Sequence, residues 1–85
     1  MSKREAAQAA LAAHDALRES HAREPACDEN GLPRDAEAWL RWHEQDSRPA
    51  YAAWHKAMDD LDSALGEKVG RHPYTFRPIC EEILA

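Results

Sequence analysis

The chain has 85 residues and a formal charge of −5, with 17 alanines against only 11 large apolar residues of the Leu, Ile, Val and Phe types. That length allows one domain with a small core, and an acidic balance without a basic stripe argues against direct binding to a nucleic-acid backbone. No apolar run reaches membrane-spanning length and no secretory leader is visible, so a cytoplasmic protein with reduced Cys27 and Cys80 is expected, with no membrane association.

Ser2-Lys3-Arg4-Glu5 has the form of a capping box, and a helix is predicted from about Lys3 to about Arg23. Its apolar face is mostly alanine: Ala6, Ala7, Ala10, Ala13 and Leu17, with Leu11 to one side. Small residues let helices approach closely but bury little area, so this helix is expected to be marginal alone. Pro25 stops it. Residues 25–33 read as a loop, with Asn30-Gly31 as a turn and Leu32 tucked back into the core.

A second helix is predicted from about Asp35 to Gln45, with Asp35 as N-cap. Ala36, Trp39, Leu40 and His43 share one face, and Trp42 lies beside it. Asp46-Ser47-Arg48-Pro49 then reads as a break, with Pro49 in the first turn of a new helix. In that third helix Tyr51, Trp54, Met58, Leu61, Leu65 and Val69 recur at gaps of three and four, an apolar seam on one face. Gly66 offers an early stop, but Val69 continues the seam, so the helix is predicted to run from 48 to 69 and to end at Gly70. Residues 71–77 read as extended or turned, and Pro78 as the start of a short helix from Ile79 to Leu84. The expected fold is all-α: one domain, residues 1–85, of about four helices with the helix at 48–69 as spine.

The chemistry-bearing residues form no motif. His14, His21, His43, His55 and His72, with Cys27 and Cys80, lack the paired spacing of a zinc site, so scattered surface or boundary histidines and no metal are expected. Asp59-Asp60-Leu61-Asp62 is one residue short of a magnesium-binding pair and reads as a solvated helix face, or as a surface for a basic partner. No serine or cysteine has a nucleophile context and no glycine loop could cradle a phosphate, so neither an enzyme nor a cofactor is expected. Trp39, Tyr51 and Trp54 read as core. Trp42, Tyr74 and Phe76 read as partly exposed, and exposed aromatics beside charge anchor protein interfaces.

Ala38-Trp39-Leu40-Arg41-Trp42, followed by Asp46-Ser47-Arg48, resembles a segment of the small phage-borne type II-C anti-CRISPR inhibitors, with Cys27, Asp28 and Gly31 fitting upstream. The resemblance covers some 20 residues of the 85; those inhibitors contain strands where this chain reads as helix. What it implies is a class, the compact inhibitor of a larger machine, and no binding residues are carried over. The sequence therefore points to a non-enzymatic protein–protein interaction module that occupies a surface. Its contact residues would be Trp42, Asp59, Asp60, Asp62, Tyr74 and Phe76, on a larger protein with a basic surface, with His14 and Cys27 dispensable. The alternative is a homodimeric accessory subunit of a larger nucleic-acid-handling or enzyme complex, in which a second copy supplies part of the core.

Overall fold

A computed structural model describes all residues, Met1–Ala85, and the chain is helical with no strand. The first helix, α1, spans Lys3–Ala22. Its capping box forms as the sequence predicts: the Glu5 amide donates to Ser2 Oγ at 3.1 Å, and the Ser2 amide donates to Glu5 Oε1 at 3.2 Å.

The expected break at residues 46–49 does not occur. Ala36–Trp42 is α-helical, His43–Ser47 is one π-helical turn, and Arg48–Leu65 is α-helical again. The backbone stays right-handed helical through Trp42, His43, Ser47 and Arg48, so the three stretches form one continuous helix, α2. Pro49 is the physical reason for the wide turn. In an α-helix its ring would clash with the Gln45 carbonyl, and a looser turn relieves that clash. In the π turn the Arg48 amide reaches back five residues to the His43 carbonyl. Trp42 and Ser47, five apart, therefore share the face that continues through Ala50, Trp54, Met58 and Leu61 toward α1. The prediction of about four helices becomes three.

α2 ends at Gly66, not Gly70. Gly66 sits at φ +73°, a left-handed conformation that costs glycine nothing, and its amide bonds back to the Asp62 carbonyl at 2.9 Å. Val69 is buried as the seam requires, but from the loop. Asp62 holds it there: Oδ1 accepts from the Val69 amide at 2.8 Å and from Arg71 Nη1 at 3.0 Å. Arg71 Nη2 also donates to Asp62 Oδ2 at 2.9 Å and to Asp59 Oδ1 at 3.0 Å. This clamp holds the Asp62 carboxyl below the usual carboxylate range. Asp62→Asn should lower stability by about 1–2 kcal/mol, the weight of partly exposed charge-assisted bonds, read from the urea midpoint at pH 7. A midpoint within experimental error of wild type would mean the clamp is ornamental.

The third helix, α3, spans Pro73–Leu84, six residues more than predicted. Pro73, and not Pro78, opens it, where a missing amide costs nothing. His72 caps it, its Nδ1 accepting from the Tyr74 amide at 3.2 Å. Pro78 lies inside and leaves the Tyr74 carbonyl without its helical donor. Tyr74 is 87% exposed, so water can take that role. Phe76, expected in an exposed loop, is fully buried in this helix, with Cys80 one turn on and Ile79, Ile83 and Leu84 half-buried.

The helix at 48–69 is not the spine. Both α2 and α3 pack on α1, while the backbones of Arg48–Leu65 and α3 do not approach each other closely. Ala6, Ala7 and Ala10 are wholly buried in that position. Alanine on two sides lets two helices close on one, so the composition that makes α1 marginal alone makes it the centre here. The core is a single cluster from Ala6 to Cys80. Leu32 is 61% exposed, against the expectation that it enters the core, and Tyr51 is 46% exposed.

His14 is not a surface histidine. It is buried on α1, edge-on to Phe76 with ring centres 5.0 Å apart and 6.0 Å from Trp54. Arg77 Nη1 donates to its Nδ1 at 2.8 Å, and donates to Asp15 at 2.9 Å. Burial, then the Arg77 and Arg18 charges, pushes the His14 pKa down against a smaller opposing pull from Asp15. The unfolded chain then binds a proton that the native chain refuses, so stability is full above the ordinary histidine range and falls as pH drops below about 6.5. The urea midpoint of wild type should fall between pH 7 and 5, and that of His14→Gln should fall less. Parallel pH profiles would contradict the assignment.

Candidate functional site: the acidic end

Residues 24–46 hold seven acidic and two basic side chains, a net −5; the other 62 residues carry nine of each and balance. The whole excess charge of the molecule sits on the loop and the first part of α2.

The loop closes on itself. The Asp28 amide donates to the Leu32 carbonyl at 2.7 Å, Asp28 Oδ1 accepts from the Asn30 and Leu32 amides at 2.8 and 3.0 Å, and Cys27 bridges Pro33. Gly31 at φ +81° makes the turn possible. These local bonds satisfy the backbone without the core, which leaves Leu32 pointing outward. Asp35 caps α2 as predicted, accepting from the Ala38 amide at 3.1 Å.

Two contacts fasten this end to the last turn of α1 and its cap residue Arg23, and a third closes within the end itself. Arg23 grips Asp46 through both oxygens, at 2.7 and 2.8 Å, and holds that carboxyl below its usual range. Trp42 Nε1 donates to the Ser20 carbonyl at 2.9 Å. Trp39 Nε1 donates to Glu24 at 3.2 Å, and its ring lies parallel to His43, with centres 5.1 Å apart.

No residue of Ala36–Trp42 is fully buried, and its backbone packs on no other helix. Leu40 is 55% exposed, and Trp39 and Trp42 are half-buried. The molecule measures 43 × 21 × 20 Å with a radius of gyration of 15.2 Å, where about 12 Å is usual for this length.

The predicted contact residues are scattered. Trp42 lies at the acidic end, with its polar atom engaged by Ser20. Asp59 and Asp62 are bound by Arg71, and Asp60 pairs with Lys56 at 3.1 Å, so two cations of the fold offset two of the three charges on the expected acidic face. Tyr74 is exposed on α3, and Phe76 is removed from any surface by full burial. Leu32 and Leu40, read in the sequence as inward-facing, are exposed at the acidic end.

Both cysteines are free thiols. Burial, then the Glu24 carboxylate, raises the Cys27 pKa, and burial raises that of Cys80, so both stay protonated and weakly nucleophilic near neutral pH. No helix is long and apolar enough to cross a membrane. Compared with known proteins, the chain matches no family, no curated protein and no solved structure.

Proposed function

We propose that the chain is a non-enzymatic interaction module that binds a larger protein through its acidic end. The observation that carries this reading is the coincidence of charge and apolar exposure. The entire −5 lies on residues 24–46, around the uncovered Leu32 and Leu40. Exposed large apolar side chains on a segment of net negative charge suit a partner with apolar pockets inside a basic rim. The segment that resembles type II-C anti-CRISPR inhibitors lies on this same end, which supports inhibition by surface occupation. No cofactor is needed for that role.

The test is inhibition of target-DNA cleavage by a type II-C CRISPR nuclease, together with retention of a partner from a host-cell extract. Wild type should inhibit or retain, and more weakly at high salt. Leu32→Ser with Leu40→Ser should abolish either effect while leaving circular dichroism unchanged, since neither side chain is in the core. Wild-type behaviour from the double variant would overturn the assigned surface. A wild-type chain that neither inhibits nor retains a protein, and has the mass of a stable dimer, would favour the accessory-subunit reading.

A further inference from the structure

The groove between α1 and the start of α3 has a volume of about 620 Å³, in the range of small-molecule sites. Its polar lining is Arg18, Arg77, His14, His72, Tyr74 and Glu81. A basic pocket on an acidic protein needs a physical reason, and the hydrogen bonds supply one.

Arg77 donates to His14 Nδ1, and a guanidinium can only donate. The His14 proton is therefore on Nε2, which makes no bond within the protein. The Tyr74 amide likewise donates to His72 Nδ1, which places that ring's proton on Nε2 as well. Both imidazoles are thus fixed as donors at their free nitrogen. Arg18 lies one turn after His14 on α1 and makes no ion pair, unlike Arg77, whose charge is shared with Asp15. Glu81 is the one carboxylate of the lining. The donors outnumber it, which selects for an anion with several oxygens. The helix amino terminus adds little: Pro73 has no amide hydrogen and the Tyr74 amide is occupied.

Tyr74 supplies the second half. It is the most exposed large apolar side chain in the molecule, and its ring lies on His72 with centres 5.0 Å apart and planes 24° apart. A half-stacked aromatic pair open to solvent is a platform for another flat ring.

We infer that this groove binds a small aromatic phosphate ester, in chemical class a mononucleotide, with its phosphate at Arg18 and Arg77 and its base on the Tyr74–His72 platform. The site shares no residue with the acidic end and stands whether or not that surface is a recognition site.

Amide chemical shifts followed by nuclear magnetic resonance, on titration with adenosine 5′-monophosphate, adenosine and inorganic phosphate, test it. The nucleotide should shift Arg18, His72 and Tyr74 saturably, and bind about tenfold or more tighter than either fragment. Arg18→Gln should weaken it about tenfold, the weight of one charge-assisted contact. Tyr74→Ala should weaken the nucleotide but not phosphate. Lys68→Gln removes the same charge elsewhere and should change nothing. No saturation, equal affinity for phosphate and nucleotide, or equal losses in Arg18→Gln and Lys68→Gln would each overturn the inference.

Discussion

Phe76→Ala should lower the unfolding free energy by about 3–5 kcal/mol, the usual weight of a buried phenylalanine lost to a cavity. The ring is fully buried where α3 meets α1, edge-on to His14 and 6.0 Å from Trp54. Small domains hold only about 5–15 kcal/mol in total, so the variant should be partly unfolded at 37 °C. The urea midpoint measures the loss, and the near-ultraviolet signal of the tryptophans reports whether α3 has come away. Phe76→Leu fills most of the space and should lose much less. Similar losses from both would mean that ring contacts, and not volume, hold α3.

Leu61→Ala is expected to remove about 2–4 kcal/mol. Leu61 is wholly buried between Met58 and the half-buried Leu65, on the face of α2 that meets α1. Leu65→Ala should have a smaller effect, because part of that side chain already faces water. The urea midpoints of the pair rank the depth of the seam. Equal losses would place the centre of the core nearer the end of α2.

The periodic parts of the fold were legible in the sequence. Ser2 and Glu5 cap α1, Asp35 caps α2, and Trp54, Met58 and Leu61 face inward, because caps and apolar spacing act over a single turn. The errors gather at prolines. Asp46-Ser47-Arg48-Pro49 reads as a stop only if helices have a single pitch, and Pro78 hid the start of α3 because Pro73 could have been a loop residue. The Asp59–Asp62 run looked free because its partner, Arg71, returns through a turn that no spacing rule describes. The acidic end was missed for a simpler reason. Its seven acidic and two basic side chains stand out only when summed over 24–46, a window that crosses from a loop into a helix and follows no element boundary. The basic groove could not be read at all, since Arg18 and Arg77 meet only when α3 folds onto α1.

The π turn has a genetic consequence. Each residue of an α-helix turns the segment before it by about 100° relative to the segment after it. Deleting one codon between Trp42 and Asp46, with Pro49→Ala to spare the clash, would leave a regular helix in which Trp42 and Ser47, now four residues apart, still share the face toward α1. A change that in most helices turns one end by about 100° and scrambles the packing would here be absorbed. Trp42 would still face Ser20, and because Ala36–Trp42 buries no residue fully, a small axial shift there would cost the fold little. The charged end is therefore expected to keep its side of the core through the loss of a single residue at this turn.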